Sequence, residues 1–139
     1  MPRLMAVSMT VDAVIERRKT VTRRLGWLFV KPGDRLVLCR KVQGRKRRDG
    51  TVEPLDRLAL VEVVTVRREP LEWLLPLRTV PPHARWPYAR DEMTREGFPG
   101  MDPRHFVEEY FVKAQGVAPD ALVTRIEWRY LDEPAQGAS

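Results

Sequence analysis

The chain has 139 residues, the size of one domain, and 43% of them are apolar, which is enough to build a packed core. Its single cysteine excludes an internal disulfide, and one Cys with only two His excludes a zinc site built from Cys and His alone. The formal net charge of +6 is uneven, because residues 1–48 carry a net +11 and residues 49–139 a net −5. A basic half favours a polyanionic ligand, and a solvated Arg-rich surface is the alternative.

The N-terminal half predicts three strands, one short helix and a hairpin. Residues 4–9 are expected to form a strand, and Thr10 is a plausible N-cap for a helix of about two turns. The β-branched residues 20–22 predict a second strand, and a Pro-Gly-Asp turn leads into a third at 36–39. The basic segment 44–50, with a glycine at each end, predicts an exposed hairpin tip.

The C-terminal half predicts two further strands, two helices and a proline-rich loop. Gly97 is typical of the residue that follows a helix, and Asp102 with Pro103 is typical of a helix start. The expected elements are a strand at 58–66, a helical turn at 71–75 with an irregular loop to 87, a helix at 89–96, a helix from 103 to 116, an alternating strand at 122–131 and a flexible tail at 133–139.

A few short strands without a repeated βαβ unit predict an α+β fold that is mainly β. We expect a small, closed or nearly closed β-barrel of five to six strands with two to three flanking helices, in one domain spanning residues 1–132. The first ten residues are too broken for a signal peptide or a membrane span. A cytoplasmic monomer without membrane attachment is therefore expected.

Four sequence segments, in this order along the chain, carry a resemblance to a known family: IERRKTVTRR at 15–24, VKPGDRLVL at 30–38, REGFPGMDPRHFVEEYF at 95–111 and VTRIEWRYL at 123–131. Together they resemble the motifs of ASCH (ASC-1 homology) domains, and the first resembles their GxKT(I/V)TxR signature. The resemblance implies a PUA-like β-barrel, a cleft lined by the KTxT segment, and RNA or a nucleotide-type ligand. Separately, we expect no cofactor and no metal. Arg18 departs from the family pattern, since many members have Gly there.

The KTxT segment and its neighbours supply five candidate ligand-binding residues: Lys19, Thr20, Thr22, Arg23 and Arg24. Cationic side chains neutralise phosphates, and hydroxyls on one face of a strand can bind a base edge or a phosphate oxygen. The segment is thus interpreted as an anion-binding lip. The alternative is a helix end with solvated arginines.

The predicted hairpin tip adds four cationic candidates: Arg45, Lys46, Arg47 and Arg48. Their functional interpretation is contact with a phosphate backbone, which positions a strand without reading its sequence. The alternative is a solvated hairpin.

Aromatic side chains are the third group of candidates, because unpaired bases are held by stacking. Trp27, Trp86 and Tyr88 are the stacking candidates, with the alternative that Trp27 plugs one end of the barrel. Residues at core spacing are Tyr110, Phe111, Trp128 and Tyr130, and Cys39 is expected to be a buried apolar residue.

A catalytic hypothesis rests on the same resemblance, since one branch of the family hydrolyses N4-acetylcytidine. The positions that match its catalytic residues are Lys19, Thr22 and Glu96. A buried Lys with a lowered pKa can accept a proton from Thr or water, and a Glu can orient it or assist the leaving group. The alternative for Glu96 is a helix-end carboxylate paired with an arginine.

The leading functional prediction is binding of RNA, or of a modified nucleoside, in a basic cleft. Single-stranded DNA is an alternative ligand. An amidohydrolase acting on an N4-acylated cytidine and a metal-independent ribonuclease are the alternative functions.

Overall fold

Five strands and three α-helices make up the part of the chain that the computed structural model describes, which is residues 2–41, 48–50, 56–75 and 88–132. The strands are β1 (Arg3–Ala6), β2 (Val21–Arg24), β3 (Arg35–Cys39), β4 (Arg57–Pro70) and β5 (Leu122–Tyr130). The α-helices are α1 (Val11–Ile15), α2 (Tyr88–Glu96) and α3 (Pro103–Val107), with a 3₁₀ helix at Leu71–Leu74 and a π-helical segment at Glu108–Lys113. The predicted α+β, mainly β class is confirmed.

The five strands form one mixed, curled sheet in the order β1-β3-β4-β5-β2. β1 pairs parallel with β3, and the other three pairings are antiparallel. β4 is longer than the predicted strand at 58–66, because β5 pairs with it as far as Pro70. Proline ends the strand there, since it has no N–H to continue the ladder.

The described strands do not close into the predicted barrel. β1 and β2, each four residues long, lie at the two edges of the sheet and share no ladder. The Arg24 guanidinium spans the space between them and donates to the backbone oxygen of Ala6 at 2.6 Å. A side chain therefore lies where a closed barrel would have backbone pairing, and the sheet is a half-barrel with a gap.

Two apolar clusters cover the two faces of the sheet. The first lies inside the curl, where side chains from β1, β3, β4 and β5 meet Val14 of α1. The second lies between the other face and the late helices, and includes Met93, Phe106 and Val123. Ile126 of β5 belongs to the first cluster and Val123 to the second, so β5 is buried on both faces.

The sequence signals that predicted the start of α3 are confirmed. The Asp102 side chain accepts a hydrogen bond from the backbone N–H of Arg104 at 2.9 Å, with Pro103 at the first helical position. The predicted helix at 103–116 differs beyond Val107, where it widens into the π-helical segment. Thr10 occupies the N-cap position of α1, but its side chain makes no capping hydrogen bond.

The predicted core residues Cys39 and Trp128 are buried, as expected. Over the described ranges, no helix combines the length and apolar character needed to cross a membrane. The predicted tail at 133–139 lies outside the described residues.

Candidate functional site

A cavity of about 370 Å³ lies at the gap between β1 and β2. This volume is within the range of roughly 300–1,000 Å³ that is typical of small-molecule sites. The cavity is lined by Ala6, Val7, Ser8, Met9, Thr10, Lys19, Thr22, Arg23, Arg24, Glu96, Phe98, Phe106, Tyr110, Phe111, Ala114 and Gln115. We call it the gap cavity.

One wall of the gap cavity is polar, and β2 and the end of α2 build it. The backbone N–H of Thr20 donates to the carbonyl of Arg95 at 2.8 Å, which ties the end of α2 to the start of β2. This contact brings Lys19 and Glu96 together: Lys19 Nζ donates to the Glu96 carbonyl at 2.6 Å and to Glu96 Oε1 at 3.3 Å. Thr22 lines the same cavity, so the three predicted catalytic positions converge.

Hydrogen bonding also orients the Thr22 hydroxyl. Arg24 Nε donates to Thr22 Oγ1 at 3.1 Å. Because a hydroxyl that accepts from a neighbour still has its own hydrogen to donate, Thr22 can give a hydrogen bond, or a proton, to a group in the cavity. Both side chains come from β2, so the strand holds their relative position.

Another part of the lining is aromatic, and we call it the aromatic wall. Phe98 and Tyr110 stack with ring centroids 5.2 Å apart and planes inclined by 23°. Phe106 packs against Tyr110 at 5.7 Å and against Phe111 at 5.5 Å. Phe106 and Phe111 are buried, while Phe98 and Tyr110 are half-buried. The cavity lining therefore combines a cluster of aromatic rings with hydrogen-bond donors and acceptors, which suits a flat polar heterocycle.

A buried network of ion pairs shares Arg23 and Glu96 with the cavity lining, and Arg23 is at its centre. Its guanidinium donates to Glu69 Oε1 at 2.8 Å, to Glu92 Oε1 at 2.5 Å and to Glu96 Oε2 at 3.1 Å. Burial alone would lower the pKa of Arg23, but the three carboxylates raise it above its ordinary value. Arg23 stays charged, with its two terminal nitrogens directed at glutamates.

Arg125 of β5 completes this network through Glu92. It donates from Nε to Glu92 Oε1 at 2.5 Å and from a terminal nitrogen to Oε2 at 3.1 Å. Burial alone would raise the pKa of Glu92, but the hydrogen bond from Arg125 and the charge of Arg23 lower it to about 2. When Lys19 is protonated, the network holds three cations and three carboxylates, so its buried charges balance.

The pKa of Lys19 shifts in the opposite direction from the pKa values of Arg23 and Arg125. Burial lowers the pKa of its ammonium below the ordinary value of 10.5, although the Glu96 carboxylate partly offsets this effect. A neutral amine keeps two N–H groups, enough for the two Glu96 oxygens that Lys19 contacts, and leaves its lone pair for an incoming proton. The geometry is thus compatible with a general base at Lys19.

The other sequence candidates lie in different places. Thr20 and Trp27 do not line the gap cavity. Trp27 packs against the first apolar cluster, with its ring centroid 5.1 Å from that of Phe29. The Tyr88 hydroxyl lies in the ion-pair network, 3.2 Å from Glu69 Oε1 and from Glu92 Oε1, and burial raises its pKa to about 12.

Most of the predicted basic hairpin lies outside the described residues. Arg45, Lys46 and Arg47 lie outside the described residues, as does Trp86. Arg48 is described and lies exposed in a turn. Binding by these residues stays a prediction.

Sequence reasoning did not single out the aromatic wall or the acidic partners of Arg23. Tyr110 was expected in the core, yet it is half-buried and lines the cavity. The sequence feature that could have identified Phe98 is its position next to Glu96 and Gly97. The left-handed backbone of Gly97 (φ 97°) turns the chain towards the cavity. No sequence feature identified Glu69 and Glu92 as partners of Arg23, because their role depends on contacts between distant segments.

No cluster of three or more His, Cys, Asp or Glu side chains within the described ranges is arranged to hold a metal ion. The charge of the buried glutamates is balanced by arginine and lysine side chains instead.

Comparison with known proteins shows likeness in fold. The structure is similar to the crystal structure of protein EF3133 from Enterococcus faecalis V583, which carries the family designation DUF984. The TM-score is 0.59 at 14% sequence identity, with 99% of this chain and 81% of that chain covered. No family model matches the chain, and no curated protein matches it.

Proposed function

We propose that the gap cavity binds a nucleobase, presented either by RNA or by a modified nucleoside. The observation that carries this proposal is that the aromatic wall and the polar wall line one cavity of about 370 Å³. An aromatic face holds a base by stacking, and hydrogen-bond donors and acceptors read its edge. The excess charge of the N-terminal half attracts the phosphates of such a ligand.

We further propose that the fold is the PUA-like one and that the chain is an ASCH-type domain. The support is that residues of two motifs far apart in the chain meet at one site. Lys19 and Thr22 come from the KTxT segment, and Glu96 and Phe98 come from the segment at 95–111. A half-barrel sheet with a gap at this site is the form that such a cleft requires.

A matched pair of substitutions tests the binding proposal. Thr22→Val removes a hydroxyl from the cavity wall at constant shape, and Thr20→Val makes the same change two residues away, outside the cavity. Losing one hydrogen bond costs about 1 kcal/mol, so the first variant is expected to bind roughly fivefold to tenfold more weakly and the second to be unchanged. Calorimetric titration with cytidine, N4-acetylcytidine, single-stranded RNA and single-stranded DNA measures this.

The outcome also separates the ligand classes. Binding of RNA alone identifies a nucleic-acid module, and binding of N4-acetylcytidine alone identifies a nucleoside site. If the wild-type protein binds none of the four, or if both valine variants bind equally well, the gap cavity is not a nucleobase site.

An amidohydrolase acting on an N4-acylated cytidine is the second candidate, and the contact between Lys19 and Glu96 favours it. Neutral Lys19 would take the proton of the Thr22 hydroxyl as its oxygen attacks the acyl carbon. The C–N bond then breaks, and Lys19 returns the proton to the leaving amine. Water hydrolyses the acyl–Thr22 ester, so the products are cytidine and a carboxylic acid.

Turnover is measured by chromatography of N4-acetylcytidine incubated with the protein. Release of cytidine by the wild type and by Thr20→Val, with none by Thr22→Val, is expected of this mechanism. If the wild type binds N4-acetylcytidine without releasing cytidine, the catalytic hypothesis fails and the binding proposal stands.

A further inference from the structure

A second concave surface lies at the opposite end of β1 from the gap cavity. It is a groove of about 460 Å³, and its lining includes Arg3, Phe29, Lys31, Asp34 and Arg35. We call it the β1-start groove. None of these side chains lines the gap cavity.

The charges in this groove are available to a ligand. Asp34 bonds the backbone N–H of Lys31 at 3.1 Å and lies 3.7 Å from its ammonium, so Asp34 offsets the charge of Lys31. Arg3 and Arg35 form no ion pair with any residue in the described ranges, and both are exposed. The groove therefore presents two uncompensated guanidinium groups.

An aromatic platform accompanies the charges. The Arg3 guanidinium carbon lies 4.0 Å from the centroid of the Phe29 ring, and Phe29 is 49% exposed. Trp27 also contacts the Phe29 ring, with the two ring centroids 5.1 Å apart and the planes inclined by 35°. Stacked arginine and aromatic planes hold unpaired bases, while guanidinium groups bind phosphate.

The sheet topology connects this groove to the gap cavity. β1 begins at Arg3 beside the groove and ends at Ala6 in the cavity wall, a distance of about 10 Å at 3.3 Å per residue. The strand pairings make β2 antiparallel to β1, so the chain that leaves β2 reaches Phe29 beside the start of β1. The edge strand β1 thus runs from one concave surface to the other.

We infer that the ligand is a single strand of RNA that follows this gap, with one base in the gap cavity and a neighbouring nucleotide in the β1-start groove. In the groove, Arg3 and Arg35 bind phosphate and Phe29 supports a base. The inference rests on the proposed function and deepens it, because it selects an oligonucleotide over a free nucleoside.

A salt-dependence experiment tests the groove separately from the cavity. Arg3→Ala/Arg35→Ala removes two phosphate contacts, and Arg68→Ala/Arg104→Ala removes the same charge from exposed positions outside both surfaces. The probes are a fluorescein-labelled single-stranded RNA of mixed sequence, followed by anisotropy, and N4-acetylcytidine, followed by calorimetry.

The expected change follows from counterion release. Each phosphate contact to a single strand contributes about 0.7 to the slope of log affinity against log salt, so the groove variant loses about 1.4 of slope. With the same affinity at 1 M salt, this corresponds to roughly 25-fold weaker RNA binding at about 0.1 M. The control pair is expected to change RNA binding far less, and neither pair to change nucleoside binding.

Each of the other outcomes contradicts the inference and shows whether the groove alone or the proposed function as well is wrong. If the groove pair and the control pair bind RNA equally, the groove takes no part, while nucleoside binding by the wild type still upholds the proposed function. If the groove pair weakens nucleoside binding as much as RNA binding, the substitutions act through the cavity. If the wild type binds neither probe, the proposed function and the inference fail together.

Discussion

Replacing Glu92 by glutamine removes one negative charge from the centre of the buried network while keeping the shape of the side chain. Glu92 is 1% exposed, and its two oxygens receive hydrogen bonds from Arg23 and Arg125 at distances of 2.5 to 3.1 Å. The substitution leaves two buried guanidinium groups with one carboxylate fewer. Breaking a buried ion pair in this way is destabilising.

The magnitude follows from the pKa of Glu92, which is lowered from its ordinary value of 4.5 to about 2. At 1.36 kcal/mol per pKa unit, this difference corresponds to roughly 3 kcal/mol of stability. Because the folded-state pKa is the lower one, the stabilisation is fully present above pH 4.5 and is lost as pH falls towards 2. We expect the wild type to be more stable than Glu92→Gln by roughly 3 kcal/mol at pH 7. This difference in stability is expected to shrink as the pH falls below 4.5.

Urea denaturation followed by tryptophan fluorescence measures the free energy of unfolding across this pH range, with the buried Trp128 as a reporter. Glu109→Gln is the matched control, since Glu109 also bonds a cation, Lys113 at 2.7 Å, but on the protein surface. The control is expected to leave the unfolding free energy and its pH dependence close to those of the wild type.

Two results would refute the reasoning. One is a difference between wild type and Glu92→Gln that stays constant from pH 7 to pH 2, because the effect would then not depend on the charge of Glu92. The other is a control that loses as much stability as Glu92→Gln, because burial would then contribute nothing.

Three further predictions concern single residues. If the catalytic hypothesis is right, the pH profile of kcat/KM for N4-acetylcytidine rises with the deprotonation of Lys19, with its rising limb below pH 10.5, and a flat profile would contradict a base at this position. Gly97→Ala is expected to cost ~1 kcal/mol or more beyond Gly100→Ala in urea denaturation: both glycines have positive φ, but only at Gly97 does an added Cβ meet a side chain of α1 at 3.0 Å, so equal losses would contradict the clash. Asp102→Ala is expected to cost about 1 kcal/mol by the same assay through loss of the α3 cap, and unchanged stability would contradict that role.

Much of the secondary structure could be predicted from short-range signals. The Asp102–Pro103 pair placed the start of α3, and Gly97 placed the end of α2. The alternation in β5 separated Ile126 and Trp128, which lie in the first apolar cluster, from the residues on its other face. Helix caps, turns and strand alternation depend on neighbours in the sequence, so they can be recognised without knowledge of the fold.

The same alternation did not predict burial on the second face of β5. Arg125 and Arg129 share that face, yet Arg125 is buried under α2 and Arg129 is exposed beside Glu62. Arg23 and Arg24 are likewise adjacent in the sequence, but only Arg23 is surrounded by carboxylates. Which of two similar arginines is buried depends on the segment that covers it, and that segment is distant in the chain.

The sequence by itself thus determined the order of helices and strands, the uneven charge, and the motifs that contain Lys19, Thr22 and Glu96. Tertiary structure alone decided that the described sheet stays open between β1 and β2, that three glutamates surround Arg23, and that Phe98 and Tyr110 line the same cavity as Lys19 and Thr22. The physical reason is that local backbone preferences act over a few residues. Burial, charge pairing and the shape of a cavity arise only when segments as far apart as β2 and α2 pack together.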